Sequence, residues 1–258
     1  MQDDSGAAKP SVDMSVKSSV KSSVKSPWPA DYRITRERLR DGSHLAQLRA
    51  RALPGFPIRS DAEIEASLGA ALAARPATGE VWVFGYGSLI WNPAFEFAEK
   101  RVALVRGWHR RFCLWLKAGR GTPELPGLML ALDRGGSCRG VAFRLDRSQV
   151  EEELLILWRR EMLSGSYEAR WLDAHSATGP VRAITFVANR RHARFTNLLS
   201  DEEVADRIAV ARGPLGSCAE YLLNTVEHLE VLGFRDASLE RIRRRVESHA
   251  SLAAAPAL

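Results

Sequence analysis

The sequence predicts an α+β fold whose strands gather into one mixed, barrel-like β-sheet with helices around it. Strand-like runs of β-branched and aromatic residues cluster between residues 80 and 147, Gly and Pro punctuate the junctions between them, and amphipathic helical runs flank the cluster on both sides. A length of 258 residues with 45% hydrophobic content is enough for one sizeable core plus appendages.

Taken in order, residues 1–27 contain a repeated Ser-Val-Lys-Ser unit, beginning at Ser15, and almost no aromatic residues, so they are expected to form a disordered low-complexity tail. Residues 28–79 read as a helical N-terminal extension. Thr35 followed by Arg36, Glu37, Arg38 and Leu39 has the form of a helix start, and a second helix is expected over 61–74, with Asp61 as its cap and Ile64, Leu68 and Leu72 on one face. The main domain spans 80–250. It should contain strands at 81–86, 101–106, 111–116, 127–132, 140–145 and 181–187, with helices at 149–162, 201–211, 218–232 and 238–248. Residues 251–258 are expected to be a flexible C-terminus.

A formal charge of +6 favours acidic small molecules or polyanions as partners. Four of the six lysines (Lys9, Lys17, Lys21 and Lys25) fall in the tail, while the rest of the chain carries its positive charge mainly on arginine. Cys113, Cys138 and Cys218 are odd in number and widely spaced, against a disulfide framework or a CxxC metal site and in favour of a reducing cytoplasm. The early acids Asp3 and Asp4, without an apolar run behind them, argue against export, and no stretch approaches the length of a membrane span. The six histidines show no ligand spacing, so neither metal nor other cofactor is expected.

The first chemically suggestive feature is the run Val81-Trp82-Val83-Phe84-Gly85-Tyr86-Gly87-Ser88-Leu89-Ile90-Trp91. A buried strand ends at two glycines, which allow close approach of a ligand and convergence of backbone N–H groups on one anion. A plain tight turn is the bland alternative. No Lys follows at Walker spacing and no third glycine completes a dinucleotide fingerprint.

The second lies on the 149–162 helix, where Ser148-Gln149-Val150-Glu151 has capping-box form. With Val150 at zero and about 100° per residue, Leu157, Leu154 and Trp158 define an apolar face near 340°, 40° and 80°, and Glu161 falls at its centre near 20°. Glu152 and Arg159 fall on the opposite, solvent side. A carboxylate on a core stripe must be partnered or open into a cavity. Either it is a structural ion pair, with neighbouring Arg160 an available partner, or it is a general base whose pKa is raised by desolvation.

The GYGSLIWNP run, Arg106-Gly107-Trp108-His109-Arg110-Arg111-Phe112, Gly140-Val141-Ala142-Phe143-Arg144, Arg160-Glu161-Met162 with Gly165 and Tyr167, and Gly213-Pro214-Leu215-Gly216 with Glu220-Tyr221-Leu222 together resemble the ChaC-type γ-glutamylcyclotransferases over residues 80–235. The resemblance implies the cyclotransferase-like fold and a cofactor-free cytosolic enzyme that cleaves glutathione to 5-oxoproline and cysteinylglycine. It places the γ-glutamyl group in the loop formed by Val83, Phe84, Gly85, Tyr86, Gly87, Ser88 and Leu89, and makes Glu161 the acid/base. Tyr86, Tyr167 and Tyr221 are further binding candidates, with core packing as the alternative for each. Arg110 and Arg111 alternate faces, so one of the two is able to face substrate.

Two positions depart from the family pattern: Leu128 where many members have Arg, and Cys218 where many have Asn. If either family residue grips the glycine end of glutathione, the specificity of this chain is altered. The competing readings are a cyclotransferase for other γ-glutamyl amines and, more remotely, a basic nucleic-acid-binding module suggested by the pI near 9.5. Neither a nucleic-acid nor a membrane partner is expected.

Overall fold

A computed structural model describes residues 34–51, 56–75 and 79–254, so the expected disordered tail lies outside the described residues. Its centre is a closed five-stranded barrel in the order β1-β3-β2-β4-β5. The strands are β1 (Trp82–Gly85), β2 (Glu99–Leu116), β3 (Gly127–Arg144), β4 (Tyr167–Ser176) and β5 (Gly179–Ala188). β1 closes the barrel by lying antiparallel to β3 and parallel to β5, with Val83 opposite Phe143 on one side and Ile184 on the other.

The four short strands expected between 101 and 145 are two long ones. β2 and β3 form one antiparallel ribbon from Glu99↔Arg144 to Leu116↔Gly127. Gly107, Gly135 and Gly136, all at positive φ, do not end strands; they stand at a register shift between Arg106 and Trp108. The bulge bends the ribbon so that it can wrap into a barrel. β4 was not expected, because Glu168, Arg170 and Asp173 on its exposed positions obscure the apolar alternation of Tyr167, Ala169 and Trp171.

Along β1 the side chains alternate between two cores. Trp82 and Phe84 join one cluster with α5 (Asp201–Val210), α6 (Cys218–Val231) and α7 (Ala237–Ala254), whereas Val81 and Val83 join the other with α2 (Ser43–Ala50), α3 (Asp61–Ala73) and α4 (Val150–Glu161). α7 continues to Ala254, past the point where a flexible C-terminus is expected. Among the described residues, no helix is long and apolar enough to cross a membrane.

The helix caps differ in detail from the sequence reading. Ser60, not Asp61, caps α3, in a capping box with Glu63, and Asp61 pairs with Arg49 at 3.0 Å instead. The capping box read at Ser148 does not form: Ser148 Oγ donates to Asp146 Oδ1 (2.6 Å), and Gln149 takes the cap position without a side-chain bond.

The face of α4 expected in solvent is covered by α1 (Arg36–Arg40). Arg40 pairs with Glu152 (2.7 Å), and Arg159 donates to Leu39 O (3.0 Å). Arg36 grips the fully buried Glu153 carboxylate with both terminal nitrogens at 2.5 Å, and Glu96 N donates to the same carboxylate at 2.8 Å.

Candidate active site

β1 delivers the backbone into the loop at 86–92, and α4 delivers Glu161 as its last residue. One side chain joins the two. Arg160 Nε lies 3.0 Å from Glu161 Oε1, its Nη2 donates to Ser88 Oγ (2.9 Å), and its Nη1 donates to Asn92 O. The ion pair and the loop contact thus belong to one arrangement.

The Glu161 side chain keeps 14% of its accessibility. Desolvation pushes its pKa up, and the Arg160 charge and hydrogen bond pull it part of the way back. The balance leaves a carboxyl closer to neutral pH than an ordinary Glu, as a proton-transfer group needs.

Tyr86, Tyr167 and Tyr221 are all buried within electrostatic reach of Glu161, and burial with that charge raises each phenol pKa. Their hydroxyls are used differently. Tyr86 donates to Phe186 O (2.6 Å) and Tyr167 to Leu130 O (2.7 Å), so both are spent on barrel carbonyls. The Tyr221 hydroxyl has no hydrogen-bond partner among the described residues. It stands 3.0 Å from the place a Cβ on Gly87 would occupy.

That contact corrects the role of the two glycines. Neither Gly85 nor Gly87 has positive φ. Gly85 is needed because a Cβ would meet Leu89 Cβ at 3.0 Å and Phe143 Cε2 at 3.1 Å, and Gly87 because Tyr221 comes so close. The loop then turns as a single 3-10 turn over Ser88–Ile90, whose first bond runs from Ile90 N to Gly87 O (2.9 Å). The amides of Ser88 and Leu89 precede that bond.

Val83 and Phe84 are fully buried in the two cores on opposite sides of β1 and offer no side chain to a ligand; Phe84 O accepts from Thr185 Oγ1 (2.8 Å). Leu89 is likewise core. The residues brought together around Glu161 are therefore Arg160, Ser88, the backbone at Gly87, and the three tyrosines.

Of the Arg110-Arg111 pair, neither reaches past the loop. Arg110 is buried beneath it and donates to Tyr86 O (2.5 Å) and Arg139 O (2.7 Å) while pairing with Asp236 (2.6 Å). Arg111 turns outward to Asp133 (3.6 Å) and Asn197 O (3.0 Å).

The Gly213-to-Gly216 motif forms the hairpin of β6 (Arg212–Gly213) and β7 (Gly216–Ser217). Gly213 packs against Gly119 O, leaving no room for a Cβ, and Ser217 caps α6 in a box with Glu220. This fixes Tyr221 in the first turns of α6, where Trp91 (5.8 Å) and Phe112 (6.1 Å) flank its ring.

The two departures from the family pattern are core positions. Leu128 and Cys218 are both fully buried, and Cys218 Sγ points to Arg120 O (3.2 Å) and Leu128 O (3.6 Å). The two segments pack closely, since a Cβ on Gly127 would strike Cys218 Sγ. Arg160 and Arg110 carry more of the site than the sequence reading gave them. The signal for Arg160 was its place beside Glu161; for Arg110 it was an arginine on an inward strand position. Among the described residues, no group of three or more His, Cys, Asp or Glu is placed to hold a metal ion.

A family profile described as ChaC-like protein matches residues 81–249. The chain is 48% identical over 175 residues to the glutathione-specific gamma-glutamylcyclotransferase of Escherichia coli (strain K12), covering 67% of this chain and 76% of that protein. It is 36% identical over 156 residues to glutathione-specific gamma-glutamylcyclotransferase 1 of Danio rerio, covering 58% and 80%. Among solved structures, a gamma-glutamyl cyclotransferase specific to glutathione from yeast superposes with a TM-score of 0.62 at 21% identity, over 66% of this chain and 96% of that one.

Proposed function

The chain belongs to the ChaC-like family, and from that premise we propose that it is a glutathione-specific γ-glutamylcyclotransferase with Glu161 as the general acid/base. The observation that carries the residue assignment is the placement of a desolvated, partly accessible carboxyl one guanidinium away from the Ser88 loop.

In this reading the γ-glutamyl group folds back on itself in the space bounded by Gly87, Ser88, Tyr221 and Glu161. Glu161 takes a proton from the substrate α-ammonium. The freed amine attacks the γ-carbonyl carbon, and the amides of Ser88 and Leu89 receive either the α-carboxylate or the oxyanion. The tetrahedral carbon then collapses. The C–N bond to cysteine breaks as Glu161 returns its proton to the departing nitrogen, the second ammonium proton passes from the ring nitrogen through the freed Glu161 carboxylate to the cysteinylglycine amine, and 5-oxoproline and cysteinylglycine leave. The nucleophile is intramolecular, so holding the folded conformer supplies several kcal/mol of the rate enhancement. Tyr86 and Tyr167, locked onto barrel carbonyls, form rigid walls, and Tyr221 has a hydroxyl to give to substrate.

We assign residues 80–250 to the cyclotransferase domain and the helices before it to an extension. A reducing cytoplasmic setting fits three buried cysteines that remain thiols. A nucleic-acid role is disfavoured because arginines on α7 pair with acids: Arg241 with Asp201 (3.0 Å), Arg243 with Glu240 (2.7 Å). The test is direct. Purified protein is incubated with glutathione, γ-glutamylalanine and γ-glutamyl-lysine while 5-oxoproline is monitored. Product from glutathione is expected and little from the other two; equal turnover of all three overturns the specificity, and none from any overturns the activity.

A further inference from the structure

Two arginines beside the loop that follows Glu161, Arg194 and Arg59, have no carboxylate within ion-pair distance among the described residues. Arg194 is buried, 7% exposed, in a segment bridged to β2: Trp115 N donates to Arg194 O (2.8 Å) and Arg194 Nε donates back to Trp115 O (2.6 Å). Its Nη1 donates to Ser164 Oγ (3.1 Å), and its guanidinium lies 4.6 Å from the Phe56 ring centroid. All of these partners are neutral. Among the described residues no carboxylate lies within ion-pair distance, and burial pulls the Arg194 pKa down to about 10.

Arg59, in the segment before α3, packs against the same loop, its Nη1 donating to Met162 O (3.5 Å). Its backbone N–H donates to Leu163 O (2.8 Å), and its guanidinium passes over Gly165, where a Cβ would stand 2.9 Å from Nη2. His192 contacts Ser164 O at 3.0 Å, and desolvation together with the Arg194 and Arg59 charges lowers its pKa against the Ser164 contact. The Ser164 and Ser166 hydroxyls are 3.0 Å apart.

A buried cation without a carboxylate is costly, and a planar guanidinium fork matches a carboxylate in particular. The other arginine near the tyrosines, Arg120, is already compensated by Glu220 (3.4 Å) and Ser217 O (2.7 Å).

We propose that Arg194, Arg59 and Ser164 form a carboxylate-binding subsite that receives the terminal carboxylate of the substrate's leaving dipeptide. This rests on the glutathione reading above. Ser164, which accepts from Arg194 Nη1 (3.1 Å), stands three residues after Glu161, and Tyr167 opens β4 just beyond it. Two residues beyond the scissile bond span about 7 Å, so a dipeptide laid past Tyr167 brings its carboxylate toward the arginines. Phe56 and Arg59 lie outside the 81–249 match, so the extension completes this subsite.

The experiment compares wild type, Arg194→Gln and Arg59→Gln on glutathione and on its glycine monoethyl ester, with thermal unfolding followed in inorganic phosphate. Wild type is expected to show a KM for the ester raised about tenfold or more at similar kcat, as loss of a charge-assisted hydrogen bond implies. Arg194→Gln is expected to raise the glutathione KM to the ester's value and leave the ester unchanged, with Arg59→Gln doing the same in part.

Equal handling of the two substrates by wild type, or an equal loss on both in the variants, overturns the subsite. So does phosphate stabilisation that Arg194→Gln abolishes while discrimination between the substrates persists, because that marks a site for a free anion. Should Arg194→Gln fail to fold, Arg59→Gln decides by the same criterion. Wild-type protein that makes no 5-oxoproline defeats the activity and the subsite together; wild-type turnover with unchanged discrimination in the variants defeats the subsite alone.

Discussion

Glu153 and Glu161 stand on the same helix, each with an arginine, and the two ends of α4 have opposite surroundings. At Glu153 both carboxylate oxygens are taken, by two nitrogens of Arg36 at 2.5 Å and by Glu96 N at 2.8 Å, and the side chain has no exposure. At Glu161 one oxygen meets Arg160 Nε at 3.0 Å, the side chain is 14% accessible, and three buried phenols lie within electrostatic reach. Burial by itself does not mark a functional acid. What separates the two is unfilled hydrogen-bonding capacity in a place that solvent or substrate can reach.

The largest effect that sharpens this contrast is on turnover. Glu161→Gln is expected to lower kcat for 5-oxoproline release by about 10² to 10⁴, the range for loss of a general acid/base, with the fold retained by circular dichroism. Near-full turnover would remove the distinction between the two acids. The same substitution is expected to stabilise the protein at alkaline pH. The folded-state pKa of Glu161 is raised, so the unfolded chain loses its proton first, and stability falls as pH climbs from the ordinary carboxylate value through the folded one. Denaturant midpoints of variant and wild type should therefore diverge above that window and converge below it.

Glu153→Gln or Arg36→Met leaves one charge of a buried pair uncompensated, which costs about 3 to 5 kcal/mol. Urea unfolding should show that loss while kcat/KM on glutathione changes little; a catalytic loss without a stability loss would reverse the roles of the two ends. Tyr221→Phe should cost about tenfold in kcat/KM, the worth of one hydrogen bond to substrate. Tyr86→Phe should instead strand Phe186 O and appear mainly as about 1 to 3 kcal/mol of lost stability. Smallest is the effect of Arg160→Gln on the pH profile. Arg160 holds the Glu161 pKa down, and a base must be deprotonated to act, so its removal should move the acid limb of kcat/KM to higher pH. A limb that stays put would detach Arg160 from the base.

Much of this was legible from residue order. The periodicity of α4 puts Glu161 on the apolar face, and the valine-aromatic run ending at Gly85 marks β1 and the loop behind it. Elements failed where local signals conflict with distant ones. Glycines that punctuate a chain at short range became a bulge inside a ribbon, and β4 was hidden by charges on its outer face. Arg159 was read as solvent-facing because nothing local announces that α1 returns to cover that side.

The sequence by itself determined the elements that depend on spacing along the chain: the helix register that turns Glu161 to the apolar face and the strand-to-loop break at Gly85. Those follow from periods of 3.6 and 2 and from residue chemistry. Only the tertiary structure decided which hydroxyl is free, which glycine yields to which side chain, and which arginine lacks an acid. Each of these is a contact between segments far apart in the chain, such as Gly87 with Tyr221 or Arg194 with Ser164, and barrel closure, not local propensity, brings them together.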